Sequence, residues 1–148
     1  MSVLKATVFL GILCLILVSC KKSGHVKTKT ELITQSSWKL DHATAAGFGD
    51  ITTQIPACYR DNIVAFVSNG TGTVDESTNV CSPSNAGSFT WSFQTNETML
   101  HLSTALFSGG SGDFTIVSLT ETNLVVSQTV VLPPPNSMQV TAEFTFKH

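Results

Sequence analysis

The strongest constraint on this chain is a two-residue rhythm. In the run 88–94, Phe89, Trp91 and Phe93 fall on one side and Thr90, Ser92 and Gln94 on the other. The run 138–147 repeats it, with Val140, Ala142, Phe144 and Phe146 set against Gln139, Thr141, Glu143 and Thr145. Side chains alternate in direction along an extended strand, so such a run is apolar on one face only. A helix, with its period of 3.6 residues, cannot gather the same residues on one side. Shorter runs lie at 37–42 (Trp38 and Leu40 together), 62–67, 71–74, 99–103, 113–119 and 124–131. Turn formers separate them: Asn69-Gly70, which tolerates the positive φ of a tight hairpin, then Thr95-Asn96-Glu97, the glycine-rich 108–112, Glu121-Thr122-Asn123 and Pro133-Pro134-Pro135. Pro83 ends ladder pairing in the polar stretch 75–84. Residues 31–35 fit one helical turn at an end of the sheet. Eight strands with meander-length connections and one apolar face each predict an antiparallel up-and-down sheet closed into a barrel. A two-sheet sandwich is the competing all-β arrangement.

The first twenty residues belong to a different problem. Lys5 precedes an apolar run from Ala6 to Val18, followed by Ser19-Cys20. A short basic region, a short apolar core and a small residue before the cut make a signal peptide. The run falls short of the roughly 20 residues a membrane-spanning helix needs. Leu17-Val18-Ser19-Cys20 resembles the bacterial lipobox, whose cysteine is acylated and becomes the mature N-terminus. The reading that follows is a lipoprotein signal peptide at 1–19, a lipidated flexible tether at 20–30 and the barrel domain at 31–148. Acyl burial contributes ~0.8 kcal/mol per CH₂, and two or more chains hold stably. Lys21, Lys22, Lys27 and Lys29 stand where anionic headgroups attract them. The expected location is the cell envelope, lipid-anchored to a bacterial membrane. The lack of an acidic run after Cys20 favours the periplasmic face, of the outer membrane.

Charge narrows the partners. From Glu31 onward three basic residues, Lys39, Arg60 and Lys147, stand against ten acidic ones, a net of −7 with histidines neutral. A basic footprint is what phosphate binding requires, so nucleic acid is excluded as a partner class. Of the four cysteines, Cys14 leaves with the signal and Cys20 takes lipid. Cys58 and Cys81 remain, an even pair in a disulfide-permissive compartment. A zinc site is the alternative, without the CxxC or HxxxH spacing that accompanies one.

Catalytic chemistry finds no foothold, and the sequence implies no enzyme, no cofactor and no metal. Ser111 sits among glycines but lacks the final glycine and the helix of a nucleophile elbow. His42 and His101 are isolated strand residues. Asp75-Glu76 is a carboxylate pair whose side chains point apart, a solvated turn entry with a calcium site as the alternative. The inward candidates are Trp38, Leu40, Phe66, Phe89, Trp91, Phe93, Phe144 and Phe146. They line an apolar ligand pocket or fill a solid core, since an eight-stranded barrel has room for its side chains or one small ligand. Ala105-Leu106-Phe107 and the apolar tip 130–135 serve a protein partner or fold back as a lid over the barrel mouth.

Several short motifs occur in a familiar order: Trp38-Lys39-Leu40, Pro56-Ala57-Cys58, Asp61-Asn62, Phe66, Asn69-Gly70-Thr71, Asp75-Glu76, Cys81-Ser82-Pro83, Trp91-Ser92-Phe93 and Phe144-Thr145-Phe146-Lys147. Over about residues 30–148 the chain resembles the lipocalin-like domain of many small bacterial lipoproteins. Ser36-Ser37-Trp38 stands where lipocalins proper carry Gly-x-Trp. The resemblance implies an all-β, eight-stranded lipocalin/calycin-like barrel and a lipid anchor, and it does not name a ligand. Two jobs fit: binding a small apolar or amphipathic molecule, or acting as an envelope protein-interaction or inhibitor module around a filled barrel.

Overall fold

A computed structural model describes residues 25–132 and 137–148. The signal peptide, Cys20, residues 21–24 and the loop from Pro133 to Asn136 lie outside the described residues. Helix α1 (Lys29–Thr34) leads into β1 (Trp38–Ala45), a two-residue strand β2 (Gly49–Asp50), a 3-10 turn (Thr52–Gln54) and the short helix α2 (Ala57–Arg60). The remaining strands are β3 (Ile63–Phe66), β4 (Thr71–Asp75), β5 (Gly87–Gln94), β6 (Met99–Leu102), β7 (Asp113–Leu119), β8 (Asn123–Val131) and β9 (Gln139–Lys147).

Every ladder is antiparallel, and β1 pairs with both β3 and β9, so eight strands close a barrel and β2 is appended to β1. The barrel, not the sandwich, is what these residues build. The β8–β9 ladder is the longest, running in register from Asn123↔Lys147 to Val131↔Gln139. Of the ladders that close the barrel, the β1–β3 seam is the shortest, with Trp38↔Val64 and Lys39↔Ile63 alone. Above it, residues 51 and 52 stand in for a strand: Ile51 N donates to Ala43 O at 2.9 Å and Ala43 N to Thr52 Oγ1 at 2.8 Å. β1 also carries a register shift between Leu40 and His42. Trp38 and Leu40 point inward before it, and Ala43 and Ala45 after it.

The two ends of the barrel differ. One end has the tight turns 67–70, 95–98 and 120–122. Asn69-Gly70 turns as expected, with Gly70 at φ 85° and Asn69 Oδ1 accepting from Thr71 N at 3.0 Å. Trp91 Nε1 is satisfied there by Val67 O and Thr71 O, both at 3.0 Å. α1 closes this end. Thr28 caps it, its hydroxyl accepting from Glu31 N while the Glu31 carboxylate accepts from Thr28 N at 2.7 Å. That backbone bond, with the His25 ring and the Thr28 hydroxyl, lowers the Glu31 pKa to about 2. Ile33 and Trp38 are fully buried beneath the helix, and Trp38 Nε1 donates to Ile33 O at 2.8 Å. The helix therefore begins inside the segment 20–30, and residues 27–29 are docked: Lys27 pairs with Glu121 at 3.2 Å and Lys29 donates to Glu97 O. The opposite end carries the long loops, 46–62, 76–86 and 103–112, and the β8–β9 connection.

Candidate functional site

The long-loop end is where a ligand would enter. Its walls follow from the strand phase. On β1 and β9 the inward residues of the lower half are large: Trp38, Leu40 and Phe146. In the upper half they are Ala43, Ala45 and Ala142, all buried, with Ala45 directly across from Ala142; Phe144, across from Ala43, is the one large ring at this level. The strands alone therefore leave the upper half wide. The loops fill it, through Ile51, Phe107 and Leu132, while Leu106 reaches deeper, to the void bordered by Trp38, Phe66 and Phe146; all four are buried. Residues 105–107 fold back as a plug in the mouth and are not a free surface. Val130, on the inward row of β8, and Leu132 just after it are also buried, whereas Val131 between them stays half exposed.

Phe107 is the centre of the plug. Its ring stacks on Phe144, centroids 4.5 Å apart and planes 15° from parallel. Phe146 lies 6.3 Å away and Tyr59 of α2 lies 6.4 Å away. Beside it opens a cleft of ≈ 70 Å³, lined by Ile51, Ile55, Phe107, Val130, Leu132 and Phe144, with polar groups from Gln54 and Ser108 at its edge.

Deeper in, the predicted lining residues meet one another. Trp38, Leu40, Phe66, Phe89, Trp91, Phe144 and Phe146 are buried, and Phe93 is partly buried against them. Phe66 meets Phe89 at 5.6 Å and Trp91 at 5.5 Å, both edge-to-face, and Trp91 meets Phe93 at 5.4 Å in the same way. The void left among Trp38, Phe66, Phe146 and their neighbours is ≈ 10 Å³, about the space of one water. Phe144 is the one residue of the eight that borders the mouth cleft. The other seven do not border it; they belong to the packed interior.

Gln128 is the residue that sequence reasoning passed over. It follows Leu124 and Val126 and precedes Val130 on the inward row of β8, and it is buried. The alternation itself was the available signal, since an amide in that phase must point inside. Its Nε2 donates to Ser111 O at 2.8 Å, Ser111 Oγ at 3.0 Å and Asp113 O at 2.8 Å. Its Oε1 is buried with no partner. Two of the facing groups are carbonyls, which only accept, so the amide cannot be turned round. The plug loop passes close over this amide: a Cβ on Gly110 would lie 2.4 Å from Gln128 Oε1. Phe107 itself had a weaker signal, a pair of large apolar residues stranded between turn formers.

Two expectations are corrected. Glu76 is not a solvated turn residue: it is buried and accepts from Cys81 N at 2.9 Å and Asn85 N at 3.0 Å, as well as from the Ser84 hydroxyl. That ring of donors, Ser84 first, lowers its pKa below the ordinary 4.5. One carboxylate thus folds the whole 76–86 loop around itself, beside the Cys58–Cys81 disulfide that ties this loop to α2. His101 is not isolated either. Its Nδ1 lies 2.6 Å from Asp113 Oδ1 on β7, and Ser92 of β5 sits directly across from it. Both partners of the pair are solvent-exposed on the outer face. Ser111 bonds to the backbone of Asp113 and to Gln128. Among the described residues no group of three or more His, Cys, Asp or Glu side chains converges as a metal site.

Residues 35–126, more than half the chain, match the family described as a lipocalin-like domain. The chain belongs to the lipocalin-like domain family. The matched span of this lipocalin-like barrel runs from just before Trp38 to Val126 and includes the disulfide and the plug loop. Gln128 and Phe144 lie past its end. No curated protein matches the chain.

Proposed function

We propose that this lipocalin-like protein binds a small apolar or amphipathic molecule at the mouth of its barrel while a lipid on Cys20 holds it in a bacterial envelope. The observation that carries the reading is the alanine wall of Ala43, Ala45 and Ala142 in the upper half, whose space is taken by the loop residues Ile51, Phe107 and Leu132. Ligand pockets of drug-like size run to roughly 300 Å³ or more. The ≈ 70 Å³ cleft reaches that size only if the plug residues withdraw. The cleft is the starting groove, and the volume now held by Leu106 and Phe107 is the rest of the site.

The anchor and the mouth suit one another in this reading. α1, the element next to the N-terminal segment, covers the end of the barrel opposite the mouth. An N-terminal lipid then presents the mouth to the aqueous side of the bilayer, and the net negative domain stays off anionic headgroups. Nothing in the site asks for catalysis: the reading assigns binding without turnover.

The test is native mass spectrometry of the protein extracted from envelopes, together with calorimetric titration of the purified domain with 1-octanol. A co-purifying small molecule, or saturable octanol binding, is the expected result. No bound molecule and no octanol binding removes this reading. The packed lower barrel favours a second one in that event, an interaction module whose long loops, tied by the disulfide, form the contact surface.

A further inference from the structure

Resting on the mouth-binding reading, we infer that the site is built for a planar aromatic molecule bearing a hydroxyl or N–H group, whose ring takes the place of Phe107 on Phe144 and whose polar hydrogen goes to Gln128 Oε1. Phe107 belongs to a loop and not to a strand, so the ring in the slot is a guest supplied by the chain itself. Near-parallel stacking at 4.5 Å is a geometry that a free aromatic ring reproduces, and one that an aliphatic chain does not. One flank is clear of bulk: Ala43 is directly across from Phe144 on β1, and Ala142 is the next inward residue on β9.

The polar end of the site is Gln128. It is directly across from Ala142, which makes it the diagonal neighbour of Phe144, roughly 7–8 Å away and within reach of a ring substituent. It is the only buried polar side chain placed on a strand among the described residues. A buried carbonyl oxygen without a donor is costly, by about 1–3 kcal/mol, and a ligand hydrogen would relieve that cost. Asp113 O is part of β7 and stays when the loop moves, so the amide keeps its orientation and its oxygen stays directed away from it.

Glycine makes the exchange feasible. Gly109 holds φ 75°, and Gly110 and Gly112 each sit where a side chain would collide, with Gln128 Oε1 and with Leu102 O respectively. The loop docks only because these positions are bare. A tethered ring competes at an effective concentration of roughly millimolar, so a free ring binds the wild type weakly and binds better once the tethered one is removed.

The experiment titrates wild type, Phe107→Ala and the double variant Phe107→Ala/Gln128→Leu with p-cresol, toluene, 4-methylcyclohexanol and 1-octanol, by calorimetry. We expect Phe107→Ala to bind p-cresol about tenfold or more tightly than wild type, ahead of both toluene and 4-methylcyclohexanol. Gln128→Leu should erase the advantage of p-cresol over toluene. Equal binding of p-cresol and 4-methylcyclohexanol, or of p-cresol and toluene, overturns the inference. If Phe107→Ala does not fold, hydrogen exchange of the wild type decides: saturating p-cresol should raise exchange at residues 104–112, and unchanged protection there overturns it. Octanol binding without p-cresol binding sinks the aromatic slot alone. Binding of neither sinks the mouth reading with it.

Discussion

Trp38 joins helix to barrel through one side chain. Its ring fills the closed end and its Nε1 satisfies Ile33 O. Trp38→Ala should cost ~3–5 kcal/mol in urea denaturation, through lost burial and the cavity left behind. Glu76 acts through charge. Its folded pKa lies below the unfolded value of 4.5, so its contribution is full above pH 4.5 and is lost as pH falls through the folded value. Glu31, Asp41, Asp50 and Asp61 are shifted the same way, so acid weakens the wild type through several groups. Comparing Glu76→Gln with wild type isolates one of them: the variant should be less stable at pH 7, and the gap in urea midpoint should narrow as pH falls below 4.5. A constant gap would mean that Glu76 is held by shape and not by its charge. The burial of Glu76 was not legible in the sequence, and that of Phe107 was only one of two readings left open, a partner surface or a lid. Both sit in loops, where no period says which way a side chain points.

At the scale of elements, alternation was a reliable guide and loops were not. The runs 88–94 and 138–147 became β5 and β9 with the anticipated faces inward. β2 was not anticipated, because two residues carry no rhythm. The link between elements was legible: cysteine counting pairs Cys58 with Cys81, and the bond is present. Replacing both by serine should cost ~3 kcal/mol in the chain-entropy account, read as a lower urea midpoint. α1 gives a smaller test. Thr28→Ala removes the N-cap and should cost ~1 kcal/mol, with faster hydrogen exchange confined to α1. Loss spread over the barrel would show that the helix is part of the cooperative core.

For the molecule as a whole, the sequence left both a hollow and a filled barrel open, and the structure divides the answer by height. Strand aromatics, with Leu106 among them, fill the lower half; in the upper half Ile51, Phe107 and Leu132 from loops pack on Phe144 and Val130. Sequence could not separate these, because strand phase predicts walls but not what distant loops put between them. Anchoring belongs to this scale too. Cys20→Ala should move the mature protein from the membrane to the soluble fraction on envelope fractionation. Persistence in the membrane would remove lipid as the tether.

The irregularity in β1 decides more than local geometry. Without the register shift after Leu40, strict alternation would carry His42 and Thr44 inward in place of Ala43 and Ala45. Imidazole and hydroxyl would then project into the vestibule, leaving it narrower and wet, and Phe107 would meet a polar wall. One surplus residue, and not any choice of side chain, sets the calibre and the dryness of the entrance; deleting Asp41 is the lesion that would reveal it.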